Sequence, residues 1–331
     1  MPNEIDRSEL VRTIGARLMS PRLAIVLAGL VLARCCLPAP RSQGTDPSQR
    51  AAFRLHDGVI RAMDASADGR VLAAVGGDSA RLWDPITGLS PAPPLVGSGP
   101  PNCVALSPDG GTLALPGWDY AIELRDAATL RPLATLRGHD ALITALAFAP
   151  DGRALASGSR DGEIILWDPS TEVPRATQLG GDRSVVALAF APDGLVLASG
   201  SSDGAIRLWD VDSGRLRVAF GGHVAMCLAF GADGRTLASA GFDRLVRQWD
   251  ISTGRLRSAL RGHGSPVMSV SYSPDGQTLA SGDDRGAIRL WEAASGRPRV
   301  EFRGHEGGVV SLRFGADGRS RRCPRRRGAG R

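Results

Sequence analysis

Short apolar runs that alternate with small polar turns cover most of the chain. An Asp-Gly pair closes such a run seven times, and the aspartates are Asp68, Asp109, Asp151, Asp193, Asp233, Asp275 and Asp317. Asp-Gly between two apolar runs predicts a β-hairpin, because glycine accepts a positive φ and aspartate tolerates turn geometry. The runs are apolar at successive positions, which predicts short strands that are buried on both faces.

A repeat of about 42 residues runs in phase with these hairpins. Residues 155–168 read LASGSRDGEIILWD, and residues 197–210 read LASGSSDGAIRLWD. Related segments lie at 237–250, 279–292 and, more weakly, 72–84 and 113–126. Each repeat therefore predicts four strands, of which the third ends in Trp-Asp. The second copy departs from this pattern, because Arg125 stands in the tryptophan position.

A Gly-His pair precedes the first strand of several repeats, and its histidines are His139, His223, His263 and His305. Together with the period and the terminal Trp-Asp, these pairs resemble the WD-repeat β-propeller family, in a bacterial type of WD-repeat protein. The resemblance covers residues 51–318 and implies an all-β propeller. We therefore predict one propeller domain over residues 50–318, with six complete four-stranded blades.

The two ends of this domain predict how the ring closes. Residues 50–55 resemble a fourth strand that has no first three strands before it, and residues 307–318 resemble the first strand of a seventh blade. In the family such a leading strand completes the last blade, which hides an exposed edge. The sequence RSRRCPRRRGAGR after residue 318 has no strand pattern. We therefore predict a seven-bladed ring with a truncated seventh blade and a disordered tail over 319–331, which is a lost or frame-shifted end.

The resemblance also assigns the histidines a structural role. In the family this histidine belongs to a buried hydrogen-bonded set with a strand serine, a turn aspartate and the tryptophan indole. The sets predicted to be complete are His139, Ser157, Asp161 and Trp167 in the third repeat, and His223, Ser239, Asp243 and Trp249 in the fifth. We expect no catalytic or metal role for these histidines, because identical placement in successive repeats is a packing rule.

The candidate functional residues follow from the same resemblance. The chain has no phosphate-binding glycine loop, no nucleophile elbow and no complete calcium loop, so we expect no enzyme activity, no cofactor and no metal. In the family, partners dock on the face that bears the turns between the second and third strands. The candidates on that rim are Trp118, Arg160, Ser202, Phe242 and Asp284. We predict a monomeric protein–protein interaction scaffold with an unknown protein partner.

The sequence also leaves other interpretations open. The rim residues could be ordinary surface residues, and the propeller could bind a small molecule, or catalyse a reaction, at its central channel. Nucleic-acid binding through the tail is a weaker alternative. The net charge is +6, but residues 319–331 contain seven arginines and no acid, so the remainder is close to neutral. A neutral body argues against specific nucleic-acid binding.

The first fifty residues predict export or membrane tethering. The run LAIVLAGLVLA at 23–33 is too short for a comfortable membrane span but suits the core of a signal peptide, with cleavage before Arg34. Residues 1–37 are therefore interpreted as a signal-peptide-like or membrane-anchor leader, with translation starting at Met1 or at Met19. Residues 38–49 are interpreted as a flexible linker. A cytoplasmic protein is the alternative.

Overall fold

A computed structural model describes two parts of the chain. Near the N-terminus it gives the backbone of three strands, β1 (Ala24–Leu27), β2 (Leu30–Arg34) and β3 (Gln49–Phe53). It then describes residues 60–314, except for 78, 86, 97–101, 172, 181–182 and 304–306. The predicted tail 319–331 and most of the predicted leader and linker lie outside the described residues.

Six sheets each take four consecutive strands from the chain, and all their neighbours are antiparallel. Blades 1 to 3 consist of β4 (Ile60–Ala65), β5 (Leu72–Gly76), β6 (Ser79–Trp83), β7 (Leu95–Val96), β8 (Ala105–Leu106), β9 (Thr112–Pro116), β10 (Ile122–Asp126), β11 (Pro132–Leu136), β12 (Ile143–Phe148), β13 (Leu155–Ser159), β14 (Glu163–Trp167) and β15 (Pro174–Gly180). Blades 4 to 6 consist of β16 (Val185–Phe190), β17 (Val196–Ser201), β18 (Ala205–Asp210), β19 (Leu216–Gly221), β20 (Ala225–Phe230), β21 (Thr236–Gly241), β22 (Val246–Asp250), β23 (Leu256–Leu260), β24 (Val267–Tyr272), β25 (Thr278–Asp283), β26 (Ala287–Glu292) and β27 (Pro298–Arg303). The prediction of six complete blades is confirmed.

In blades 1, 3, 4, 5 and 6 the second strand is rich in small residues, because both of its faces pack against neighbouring sheets. Every residue of β13 is buried. A Cβ added to Gly158 would lie 2.5 Å from Cγ1 of Val185, which belongs to the first strand of the next blade. No side chain fits at that distance, so the glycine of the LASG motif permits the close approach of two blades.

The first strands of successive blades pack against one another around a closed ring. β4, β8, β12, β16, β20 and β24 contact each other in that order, and β28 (Val309–Phe314) lies between β24 and β4. The closing contacts are polar as well as apolar. Ser311 Oγ donates to the Met63 carbonyl at 3.3 Å, and the Arg313 guanidinium lies 2.9 Å from the Asp64 carboxylate. The fold is an all-β propeller.

The predicted truncation of the seventh blade is wrong. The seventh sheet has four strands, in the order β28-β2-β1-β3. Leu32 of β2 lies opposite Leu312 of β28, and Ile25 of β1 lies opposite Leu32 on one side and Ala52 of β3 on the other. β3, which corresponds to the orphan strand predicted at 50–55, therefore occupies the outer edge as predicted, but two other N-terminal strands lie inside it. The physical reason is that an open edge of β28 would leave backbone groups unpaired, and a nearby apolar run can pair with them.

This arrangement gives residues 23–33 a structural role in the propeller, although it does not test export. The run predicted as a leader core supplies the second and third strands of blade 7, in the reverse of their usual chain order. Among the described residues, no helix is long and apolar enough to cross a membrane.

Candidate partner-binding face

One end of the propeller gathers the turns that join the second and third strands. In blades 3, 4 and 6 the turn is hydrogen-bonded to the loop that leads into the first strand of its own blade. The backbone N–H groups of Arg160, Ser202 and Asp284 donate to the carbonyls of Leu142, Ser184 and Pro266, each at 2.9 Å. We call this end the turn face, defined by residues 117–120, 160–162, 202–204, 242–244 and 284–286.

All five rim residues that the sequence suggested lie on the turn face and are exposed. Trp118 is 72% exposed and Phe242 is 59% exposed, which is unusual for such large apolar side chains. Tyr120, which the sequence analysis did not single out, lies two residues after Trp118 and is 44% exposed. Blade 2 therefore presents two aromatic side chains on one turn.

The turn of blade 2 is fixed by local contacts. The N–H of Gly117 donates to the Ala121 carbonyl at 2.7 Å, which closes a short loop over residues 118–120. Asp119 forms an ion pair with Arg137, the residue that follows β11. The hydrogen bond from Arg137 holds the pKa of Asp119 below its usual range, so the pair remains charged at neutral pH. The two aromatic residues are thus held on an anchored turn.

Backbone strain coincides with the exposed aromatic residues. The residue after the turn-aspartate position, which Arg285 occupies in blade 6, adopts a positive φ, and in blades 3, 4 and 6 it is glycine: Gly162, Gly204 and Gly286. In blade 2 the position is occupied by Tyr120 with φ 61°, and in blade 5 by Arg244 with φ 67°. A side chain in this conformation costs about 1–2 kcal/mol. Among the described turns, those of blades 2 and 5 have a residue other than glycine at this position, and both also bear a large exposed aromatic residue.

The rim residues do not form one patch. Blades 2 and 3 are neighbours in the ring, so Trp118 and Tyr120 share a side of the turn face with Arg160. Phe242 belongs to blade 5, three blades from blade 2, on the other side of the central channel. The structure therefore places the aromatic pair of blade 2 together with Arg160, and it separates Phe242 from them.

The two predicted hydrogen-bonded sets contain three linked members each. In blade 3, Ser157 Oγ accepts from the Trp167 indole at 2.7 Å and lies 2.6 Å from Nε2 of His139. In blade 5, Ser239 Oγ accepts from Trp249 at 2.7 Å and lies 3.1 Å from Nε2 of His223. These buried chains join the strands of a blade to the loop before it.

The predicted aspartates are not hydrogen-bonded to these histidines. Asp161 accepts from Ser159 Oγ and from the Glu163 N–H, and Asp243 binds Arg247 at 2.5 Å. Both carboxylates are thus engaged by groups of their own hairpins. In the described part of the chain, Nδ1 of His139 and Nδ1 of His223 are buried and have no hydrogen-bond partner.

The complete four-residue set lies in blade 6, where the sequence analysis did not expect it. His263 Nε2 lies 2.7 Å from Ser281 Oγ, which accepts from Trp291, and Nδ1 lies 3.0 Å from Asp283. Arg285 occupies the usual aspartate position, but Asp283 precedes it by two residues and reaches the imidazole. Spacing alone could not show this, although the adjacent Asp283-Asp284 pair was a signal.

Burial keeps these histidines neutral. Desolvation lowers the pKa of His139 and of His263, and it lowers the pKa of His223 to about 4. An uncharged imidazole is suited to a buried hydrogen-bonded chain and unsuited to proton transfer at neutral pH. Their chemistry is therefore that of structural residues.

The central channel has a mouth of about 530 Å³ at the end opposite the turn face. Equivalent positions at the ends of the first strands line it, and they are Ala65, Leu106, Phe148, Phe190, Phe230, Tyr272 and Phe314. The charged residues of its lining are Asp64 and Arg313, which pair with each other. The described lining therefore offers a mostly apolar cavity with few converging polar groups.

A second cavity of about 680 Å³ lies between blades 5 and 6. One wall of this cavity contains a polar side chain at a position where other blades have an apolar one. Gln248 stands where blades 3, 4 and 6 have leucine, and its Nε2 donates to Tyr272 Oη and to the Ala293 carbonyl, both at 2.9 Å. Ser258 Oγ donates to Gln248 Oε1 at 2.7 Å. Burial raises the pKa of Tyr272 to about 12, so its hydroxyl remains protonated.

Comparison with known proteins agrees with the repeat structure. The family model described as WD domain, G-beta repeat matches residues 47–84, 130–168, 173–210, 214–250 and 254–292. Each match runs from the fourth strand of one blade through the third strand of the next, and the first three strands of the divergent blade 2 lie outside the matches. No curated protein matches the chain. Since the matched segments together cover more than half of its residues, the chain belongs to the WD-repeat family.

Proposed function

We propose that the protein is a non-enzymatic scaffold that binds a protein partner through the turn face, with Trp118 and Tyr120 at the centre of the contact. The observation that supports this most strongly is the pairing of exposed aromatic side chains with a strained backbone. Strain that persists in a folded protein is typical of functional positions, because the surrounding structure must offset it. WD-repeat propellers are typically scaffolds for protein interactions, and this supports the same function.

The chemistry of the blade 2 and blade 3 turns suits a protein partner. Tryptophan, tyrosine and arginine are the residues most enriched at the energetic centres of protein interfaces. Trp118 and Tyr120 supply apolar area with few rotatable bonds, and Arg160 on the neighbouring blade supplies a charged donor. Phe242 supplies a second, separate contact for a partner large enough to span the channel. Ser202 and Asp284 are polar rim positions between and beyond these contacts.

The test compares partner recovery by the full chain and by two variants. The double variant W118S/Y120S removes both aromatic side chains, whereas L133S removes an exposed leucine of β11 in the same blade. Proteins recovered from the source cell are quantified by mass spectrometry, after circular dichroism has shown equal folding. We expect at least one partner to be lost more than tenfold with W118S/Y120S and retained with L133S. Equal recovery by all three chains contradicts the proposal, as does the absence of any specific partner of the wild-type chain.

The alternative functions stay predictions. A small-molecule or enzymatic site at the central channel needs converging polar groups, and the described lining offers mainly the Asp64–Arg313 pair. Nucleic-acid binding through residues 319–331 predicts an affinity that falls steeply with salt and disappears when the tail is deleted. Export or tethering through residues 23–33 is likewise a proposal, and so is the monomeric state.

A further inference from the structure

The cavity between blades 5 and 6 has an inner wall of three linked polar side chains. Gln248 of β22 is only 4% exposed, yet it lines this cavity. Its amide donates to Tyr272 Oη and accepts from Ser258 Oγ, and both of these residues line the cavity as well. Hydrogen-bonding groups from the third and fourth strands of blade 5 and from the first strand of blade 6 therefore meet at one wall.

The same three positions are apolar at the other blade interfaces. In the third strand, blades 1, 2, 3, 4 and 6 have Leu82, Leu124, Leu166, Leu208 and Leu290 where blade 5 has Gln248. In the fourth strand, the residue opposite that leucine in blades 2, 3, 4 and 6 is Ala134, Ala176, Val218 or Val300. At the end of the first strand, blades 3, 4, 5 and 7 have Phe148, Phe190, Phe230 and Phe314. Among these interfaces, all three positions are polar between blades 5 and 6.

The interface between blades 2 and 3 shows what the polar residues change. A cavity of about 630 Å³ lies in the same place there, and Phe148 and Asp151 line it. Its inner positions are Leu124 and Ala134, which pack with Phe148 in an apolar cluster. Between blades 5 and 6 the corresponding residues line the cavity instead. The fold thus supplies a groove at both interfaces, and the sequence gives one groove a polar inner wall.

The cavity between blades 5 and 6 has unused hydrogen-bonding capacity. Tyr272 Oη accepts from Gln248, but its hydroxyl hydrogen has no acceptor among the residues that the structure describes. Asp233 and Asp275 line the same cavity, and each uses Oδ1 to accept from N–H groups of its own turn. Oδ2 of Asp233 has a long 3.4 Å contact with Thr236. One hydroxyl donor and two carboxylate oxygens can therefore bind a further group.

The two carboxylates do not form an unbalanced negative patch. The hydrogen bond to Asp250 raises the pKa of Arg257, and the nearby charge of Asp233 adds to this shift. Hydrogen bonds within its own turn lower the pKa of Asp275, and the charge of Arg299 adds to that shift. Each carboxylate that lines the cavity thus has an arginine nearby, which favours an uncharged ligand over a cation.

We propose that this cavity binds a small uncharged molecule with several hydroxyl groups, either a monosaccharide or a cyclic polyol. A hydroxyl group both donates and accepts, so one such molecule can donate to Asp233 or Asp275 and accept from Tyr272. The volume of about 680 Å³ lies in the range of about 300–1,000 Å³ that is typical of small-molecule sites. Tyr272 also lines the channel mouth, so the site lies at the end opposite the turn face and is separate from the proposed partner contact.

The test measures binding of D-glucose, D-galactose, D-mannose and myo-inositol to the full chain, by saturation-transfer NMR and calorimetry. We expect at least one of them to bind at one site. Q248L/Y272F/S258V gives the wall the residue types of the interface between blades 4 and 5, and should weaken this binding at least tenfold. Circular dichroism and the melting temperature check that the variant is folded.

The interface between blades 2 and 3 supplies the matched control. D275N removes the charge of a carboxylate that lines the proposed site and should also weaken binding. D151N makes the same change at the equivalent turn of the other cavity and should leave binding unchanged. W118S/Y120S should bind the same molecule normally, so a failure of the turn-face proposal and a failure of this one are distinguishable.

The competing explanation is that the three polar side chains only brace the two blades against each other. In that case none of the four molecules binds, or Q248L/Y272F/S258V binds as tightly as the wild type, and either result overturns the proposal. Equal effects of D275N and D151N overturn it as well, because the site would then not involve Asp275. Spermidine and inorganic phosphate are the charged probes. Binding of either one at this cavity, without binding of any of the four neutral molecules, rejects the proposed ligand class.

Discussion

Blade 1 lacks one hydroxyl that blades 3 to 6 use, and restoring it should stabilise the protein. In blades 3, 4, 5 and 6 a buried serine accepts the indole hydrogen bond at 2.7–2.8 Å. In blade 1 the indole nitrogen of Trp83 is buried and has no partner in the described residues. Ala74 occupies the serine position, because Leu72 lies opposite Trp83 just as Leu155 lies opposite Trp167. The perturbation is therefore A74S.

The size of the effect follows from the cost of an unsatisfied donor. A buried N–H without an acceptor costs about 1–3 kcal/mol, and the added hydroxyl must itself be desolvated. Ser157, its counterpart in blade 3, also lies 2.6 Å from His139 Nε2 and 3.4 Å from a backbone carbonyl, and for blade 1 we count only the restored indole hydrogen bond. We expect a net gain of about 1 kcal/mol in the free energy of unfolding, or about 2 °C in melting temperature for a domain of this size. Urea unfolding followed by tryptophan fluorescence measures it.

Two controls make the result specific. A73S adds the same hydroxyl to the neighbouring buried position of β5, which faces an apolar cluster, and should destabilise the protein by about 1–3 kcal/mol. S157A removes the hydroxyl that Trp167 and His139 share, and should cost about 2–4 kcal/mol because two buried nitrogens lose their partner. If A74S were as destabilising as A73S, the argument that an empty acceptor position weakens blade 1 would be refuted.

Three further predictions concern the same buried polar groups and the turn face. Lowering the pH from about 6.5 towards about 4 should reduce the free energy of unfolding, because the histidines take up protons in the unfolded chain but not while they are buried in the folded one. Urea unfolding midpoints at pH 7.5 and pH 5 measure the change, and equal midpoints at the two pH values contradict the prediction. Q248L should lower the free energy of unfolding by about 1–3 kcal/mol, because Tyr272 and Ser258 lose their hydrogen-bond partner. The triple variant Q248L/Y272F/S258V removes those hydroxyls as well and should recover most of the lost stability, as measured by thermal unfolding. Y120G should raise the free energy of unfolding by up to about 1 kcal/mol, because glycine adopts φ 61° without strain. A melting temperature below that of the wild type would argue against backbone strain at Tyr120.

The repeats could be predicted because each blade has the same requirements at the same spacing. The Asp-Gly hairpin, the small second strand and the indole each meet a constraint that recurs in every blade, so phase alone located six blades. The aspartate of the buried set was less predictable, because the reach of a side chain decides it. Asp283 bonds His263 from two residues before the expected position, and Asp161 does not reach His139 from that position. Likewise the strain at Tyr120 shows in the sequence only as a missing glycine.

The second and third strands of the seventh blade were missed for a different reason. Its second and third strands come from LAIVLAGLVLA, which has none of the LASG or LWD residues that identify these strands elsewhere. A short apolar run without charges suits a leader core and a pair of buried strands equally well, and periodicity cannot distinguish them. The choice depends on the open edges of β28 and β3, which lie at opposite ends of the sequence and are therefore invisible to local reasoning.

The same segment cannot serve both purposes in one molecule. Cleavage before Arg34 would remove β1 and nearly all of β2, and insertion of residues 23–33 into a membrane would withdraw both strands from the ring. β28 would then keep its contacts with β24 and β4 but expose an unpaired edge, and β3 would have no inner neighbour. An exposed edge favours pairing with another chain. A mature protein without the first 33 residues therefore requires another source of two strands, whereas a protein that retains them keeps the four-stranded seventh blade.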